Sequence, residues 1–149
     1  ESAQLRLLAV PGIGGATLID DTYNASPASS LAALNLLADL DGRKIAVMGD
    51  MLELGSVEEE SHRLVGRRVA EVAELLITVG QRARWIADEA RIAGMPAAHI
   101  QHVEQNREAI AALRGTLRDG DYVLIKGSRG VAMEQIVAAL QPAQSAEAE

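Results

Sequence analysis

The chain has 149 residues and a net charge of −7, with 48% hydrophobic and 23% charged residues, the proportions of one globular domain able to bury a core. No apolar run reaches the roughly 20 residues that span a bilayer, and the acidic balance opposes nucleic acid and anionic membrane. Only Tyr23, Trp85 and Tyr122 are aromatic, which leaves no base-stacking platform, and the lack of cysteine excludes disulfides and thiolate chemistry.

The expected order is β-β-α-β-α-β-α-β-α-β-α. Residues 4–10 read as a strand, 11–15 as a turn and 16–20 as a second strand ending in acids. Ser26-Pro27 opens a helix, Ser as N-cap and Pro in the first turn. Leu31, Leu34, Leu37 and Ala38 give it one apolar face, and Asp41-Gly42 ends it. Residues 45–48 are a short apolar run of the buried parallel type, followed by a loop over 49–55. Ser56 or Ser61 is the expected cap of the next helix, with Leu64, Val65, Val69 and Val72 facing in and Arg63, Arg67 and Arg68 facing out. A strand over 75–79 closes at Gly80. A helix over 81–93 points Ile86, Ala87 and Ala90 inward and ends at Gly94. A weaker strand covers 100–103, a helix 105–117 and a strand 122–125. The last helix, 130–140, turns Met133, Ile136, Val137 and Leu140 inward.

Strands alternating with such helices predict an α/β fold: a three-layer, Rossmann-like, mostly parallel sheet of about six strands with helices on both faces. The N-terminal edge strand is expected to pair antiparallel with the second. One domain over 1–140 and a frayed tail over 141–149 are expected. The chain begins at Glu1 without an initiator Met or a signal-like stretch, the mark either of trimming or of a chain cut from something longer.

Ligands of open α/β sheets bind at the carboxyl ends of the strands, so the polar residues there matter most. They are Asp20-Asp21-Thr22-Tyr23-Asn24, Gly49-Asp50-Met51-Leu52-Glu53, Gly80, and Lys126-Gly127-Ser128-Arg129-Gly130. The last segment joins a strand to a helix. Its glycines permit a sharp turn, and Lys126 and Arg129 add charge to the helix-end amides, the makings of an anion site. Only two of the fourteen basic residues are lysines, so a lysine on this rim is a pointed choice. The alternative is a glycine-capped turn with a solvated Arg. Asp20 and Asp21 suit ribose hydroxyls or a metal, and equally suit the dipole of the following helix. Asp50 and Glu53 are ligand contacts or ordinary loop acids.

Other motifs fail. Gly12-Ile13-Gly14-Gly15 lacks the third glycine of a dinucleotide fingerprint and precedes a strand, and no G-x-x-x-x-G-K-[ST] occurs. His99 and His102 fall on opposite faces of a strand, and the i+4 neighbour of His62 is Gly66, so metal pairs are not indicated and His62 reads as structural.

The segments 18–27 (L-I-D-D-T-Y-N-A-S-P), 45–55 (I-A-V-M-G-D-M-L-E-L-G), His62 to Gly66 and 123–130 (V-L-I-K-G-S-R-G) occur in that order. Together they resemble the C-terminal domain of the bacterial Mur ligases, over about 18–140. The resemblance implies an ATP-dependent amide ligase of peptidoglycan synthesis, cytoplasmic and monomeric, that requires Mg²⁺. ATP would activate the carboxylate of UDP-MurNAc-tripeptide, and the amine of D-Ala-D-Ala would attack the acyl phosphate. It also implies that the P-loop and Mg²⁺ ligands belong to a central ATPase domain on which this one packs. This segment would then be inactive alone, with no catalytic or metal-binding residue of its own. Asp21, Tyr23 and Asn24 would take the nucleotide. Lys126, Ser128 and Arg129 would take the dipeptide carboxylate, and Asp50 and Glu53 its ammonium.

Two departures stand out. Ser26 replaces the family's second Asn in N-A-N-P, keeping the helix cap but shortening any ligand contact. The family's hinge Gly-Arg pair falls on Ala3-Gln4 or upstream, with Arg6 as a stand-in. Two other readings are a phosphorylation-dependent receiver module and a related ligase of the folylpolyglutamate or cyanophycin type. The first places its acceptor Asp one βα unit later than Asp50 and wants Pro, not Gly127, after the lysine. The second shares the fold but not the K-G-S-R-G loop.

Overall fold

Short apolar runs bounded by polar turns become parallel strands because a strand covered by helices on both sides has no polar face. The computed structural model describes residues 7–143. Six strands, β1 (Leu8–Pro11), β2 (Thr17–Asp21), β3 (Lys44–Gly49), β4 (Leu75–Val79), β5 (Ile100–Val103) and β6 (Tyr122–Lys126), form one sheet in the order β1-β2-β6-β3-β4-β5. Five helices connect or follow them: α1 (Pro27–Ala38), α2 (Glu58–Val72), α3 (Arg84–Ile92), α4 (Asn106–Arg114) and α5 (Glu134–Leu140). The expected element order holds. β1 and β2 pair antiparallel, as expected, and every other neighbour is parallel. Residues 4–6 of the expected first strand, the hinge positions Ala3-Gln4 and Arg6, and 144–149 of the tail lie outside the described residues.

The order of the strands decides which face each helix covers. The chain crosses from β2 over β6 to β3, advances to β4 and β5, then returns to β6. Right-handed crossovers put helices of opposite travel on opposite faces. One core accordingly joins Leu34 and Leu37 of α1, Val65 and Val69 of α2, and Ile86 and Ala90 of α3 to Ala46, Met48 and Leu124. The other joins Ala109 and Leu113 of α4 and Ile136, Val137 and Leu140 of α5 to Ile45, Val47, Val123 and Ile125. Successive strand residues alternate between the two cores, the period-2 geometry of a pleated strand.

Several local expectations change. α1 starts as expected, with Ser26 accepting from the Ser29 amide in a capping box, but it ends at Ala38. Neither Ser56 nor Ser61 caps α2. Glu58, Glu59 and Glu60 occupy its first turn, where acidic charge complements the helix dipole. Leu64 is exposed, and the buried face runs through Ser61, His62, Val65, Gly66 and Val69. The reason is close helix packing: a Cβ on Gly66 would strike the Ile86 carbonyl of α3. α3 begins at Arg84, α4 ends at Arg114, and α5 begins only at Glu134, because 129–131 form a 3₁₀ turn and Ala132 is left-handed at φ 55°.

Candidate functional site

The strand order makes β6 a topological switch. Its chain leaves to the α5 face, while those of β2 and β3 on either side leave to the other face. Loops that part in this way open a crevice beyond the carboxyl ends, where α/β proteins place their ligands. A cleft of about 330 Å³ lies there, lined by Tyr23, Asn24, Leu52, Glu53, Ser128, Arg129 and Gly130. Three loops contribute, those following β2, β3 and β6.

The eight residues singled out from sequence separate into two groups. Asp21, Asp50, Lys126 and Ser128 are buried and hold the loops together. Tyr23, Asn24, Glu53 and Arg129 are exposed and, with Ser128, line the cleft. Asp21 and Lys126, expected to serve different ligands, are brought into one ion pair of 2.6 Å between neighbouring positions of β2 and β6. The Lys126 ammonium also donates to the Asn24 carbonyl at 3.0 Å.

Ser128 ties all three loops. Its hydroxyl accepts from the Leu52 amide at 2.8 Å and donates to the Ala25 carbonyl at 3.4 Å, and its own amide donates to the Asp50 carbonyl at 3.0 Å. Gly127 before it packs closely under α5, and a Cβ there would require the Met133 side chain to shift. The Asp50 carboxylate does not face the cleft. It accepts from the Ala83 amide at 2.8 Å and sits 3.7 Å from Arg82. Gly80, at φ +105°, gives it room, since a Cβ there would lie 2.7 Å from the Asp50 oxygen.

Charge on the cleft wall comes from two neighbouring loops, those after β3 and β6. Glu53 stands in the left-handed region at φ 64°. The Arg129 guanidinium lies 5.0 Å from the centre of the Tyr23 ring, a cation–π contact that holds the side chain in place. Among the described residues, neither Glu53 nor Arg129 is in an ion pair. One carboxylate and one guanidinium therefore face a polar crevice without neutralising each other.

A larger crevice, about 580 Å³, lies beyond β4 and β5 and is lined by Asp50, Gly80, Gln81, Arg82, Glu104 and Asn106 among others. Asp50 and Gly80 were its signals in the sequence, and neither pointed to a crevice beyond β5. Its polar groups are largely committed: Arg82 to Glu58 at 2.8 Å and Asn106 to the Val131 and Ala132 carbonyls. The smaller cleft is the better candidate for that reason.

The histidines stay apart. His99 is exposed in a 3₁₀ turn, while His102 on β5 meets Thr78 and Glu104. Among the described residues, no group of three or more His, Asp or Glu side chains is placed to hold a metal ion.

Residues 5–129 match the family described as Mur ligase, glutamate ligase domain. The chain belongs to this family. This Mur ligase domain is 34% identical, over 89% of its length, to the UDP-N-acetylmuramoyl-tripeptide–D-alanyl-D-alanine ligase of Bacillus subtilis. It also resembles MurF ligase of Thermotoga maritima in complex with ADP (TM-score 0.76, 27% identity, 93% of this chain). MurF of Acinetobacter baumannii gives TM-score 0.76 at 31% identity over 93% of this chain. The domain spans only about a third of these relatives, 30%, 31% and 30% of their lengths in turn. Family membership displaces the receiver reading. No helix among the described residues is long and apolar enough to cross a membrane.

Proposed function

We propose that this chain is the closing domain of an ATP-dependent ligase that joins D-Ala-D-Ala to UDP-MurNAc-tripeptide in the bacterial cytoplasm. In that reaction the tripeptide carboxylate takes the γ-phosphoryl group of ATP, releasing ADP. The dipeptide amine then displaces phosphate and forms the amide. The observation that carries the reading is the pair of opposite charges on neighbouring loops, Glu53 and Arg129, in one cleft at the switch around β6. D-Ala-D-Ala is a small zwitterion and needs both.

Arg129, with the Ser128 hydroxyl beside it, takes the dipeptide carboxylate, a charge-assisted pairing of the stronger kind. Glu53 takes the ammonium and so places the nitrogen that forms the amide. Tyr23 and Asn24 face the nucleotide from the β2 loop. Asp21, Lys126 and Asp50 act behind them by fixing the loops. The residues present do not fit a Mg²⁺ site, and no step is assigned to that ion on this domain. The sequence contains no G-x-x-x-x-G-K-[ST] phosphate loop, so the nucleotide is held mainly by a central domain that this one covers, in a monomeric enzyme.

The test is a ¹H–¹⁵N NMR titration of the chain with ADP and with D-Ala-D-Ala, both weak ligands here because half of each site is elsewhere. ADP should move Tyr23 and Asn24. D-Ala-D-Ala should move Glu53 and residues 128–130, and Glu53→Gln or Arg129→Met should abolish those shifts. Shifts clustered at Gln81 and Asn106, or none at high ligand, would sink the assignment. Activity is tested in a chimaera with this chain in place of the matching segment of the Bacillus subtilis relative, which should form the amide with release of phosphate from ATP.

A further inference from the structure

His62 is fully buried near the start of α2. Its Nδ1 lies 2.6 Å from the Glu58 carbonyl, and its Nε2 lies 2.9 Å from the Met51 amide. A carbonyl can only accept and an amide can only donate, so Nδ1 carries the proton and Nε2 is the acceptor. The neutral ring satisfies both partners at once. Met51 is the centre of the loop after β3: Asp50 before it is tied to Ser128 and Ala83, and Leu52 after it to Ser128. Glu53 follows directly in its left-handed conformation.

We propose that His62 is a positioning residue of the cleft: wedged between the Glu58 carbonyl and the Met51 amide, it sets the loop that presents Leu52 and Glu53. The proposal rests on the cleft being the ligand site argued above, but the geometry of the loop is measurable without ligand. An imidazolium would turn an N–H toward the Met51 N–H, replacing a hydrogen bond with two opposed donors. The charged groups around the ring are Asp50 from the loop, Glu58 from α2 and Arg82 from the segment before α3. The Trp85 ring of α3 stands 5.7 Å away. Burial pushes the imidazole below its ordinary value against the pull of the Glu58 carbonyl and of the Asp50 and Glu58 charges, and Arg82 adds to the lowering. The loop therefore keeps its anchor at neutral pH and loses it in acid.

The experiment uses the 149-residue chain. Long-range ¹H–¹⁵N NMR at neutral pH should find the Nδ1–H tautomer, and an Nε2–H tautomer would overturn the proposal. His62→Gln keeps an acceptor within reach of Met51, whereas His62→Asn can still donate toward Glu58 but is too short for Met51. His62→Asn should speed hydrogen exchange at Met51 and Leu52 about tenfold, the scale of one lost hydrogen bond. It should also weaken the D-Ala-D-Ala shifts at Glu53 several-fold, with His62→Gln close to wild type. Unchanged exchange in His62→Asn, or a Gln variant as impaired as Asn, overturns it. Should His62→Asn not fold, the wild-type titration decides, because Trp85 is the only tryptophan and an adjacent imidazolium quenches indole emission. The emission loss and the Met51 amide shift should share one midpoint below the ordinary histidine range, and a Met51 amide that stays still refutes the proposal. Correct tautomer and protection without any ligand shift would leave the loop anchor standing and remove the proposed function.

Discussion

Asp21 and Lys126 lie 105 positions apart in sequence and 2.6 Å apart in space, both almost fully buried. They are neighbours in parallel register on β2 and β6. Charges are taken out of water at such cost that removing one member of a buried pair is far worse than replacing both. Lys126→Ala should destabilise the domain by about 3–5 kcal/mol. Asp21→Asn with Lys126→Met should recover most of that loss. Urea denaturation of the two variants measures the difference.

Ser128 holds three loops with one hydroxyl and one amide. Ser128→Ala leaves the Leu52 amide without its acceptor, at about 1–3 kcal/mol. Thermal melting should show the loss, and hydrogen exchange should speed at Leu52 while β4 and β5 stay protected.

Arg43 grips both oxygens of Asp121, at 2.8 and 2.7 Å, and also donates to the Thr116 carbonyl. Burial pushes the Asp121 carboxyl up, but hydrogen bonds from Arg43 and the Arg118 amide, with the charges of both arginines, outweigh it and hold the group below its ordinary value. The folded state thus prefers the carboxylate. Its contribution is complete above the unfolded value of about 3.9 and is lost as pH falls through the lower folded value. Asp121→Asn should lower stability at neutral pH and flatten the acid limb of the unfolding curve below about pH 4.

His62 gives a second, separate slope. Its folded value is lowered, so the unfolded chain binds the proton first. Its contribution is full above about 6.5 and shrinks as pH falls toward the folded value. Denaturant midpoints between neutral and mildly acid pH should fall in the wild type, and His62→Gln should remove that part of the slope.

Much of the fold was legible because its signals are local. Runs such as 45–48 and 75–79 have no polar face and become interior strands, and Ser26-Pro27 marks a helix start that the capping box bears out. Helix limits were less legible. Gly66 rotates the buried face of α2 toward α3, and Ala132 delays α5, and both depend on neighbours far along the chain.

The sequence by itself determined the order of elements, the rim on which polar loops collect, and the motifs that tie this chain to its family. Composition, periodicity and loop chemistry act over a few residues, so they can be read without a structure. Only the tertiary structure decided which rim residues line the cleft and which hold the frame. That depends on β6 inserting between β2 and β3, a pairing between segments about a hundred residues apart. The insertion places Lys126 beside Asp21, and it leaves Glu53 and Arg129 facing the cleft.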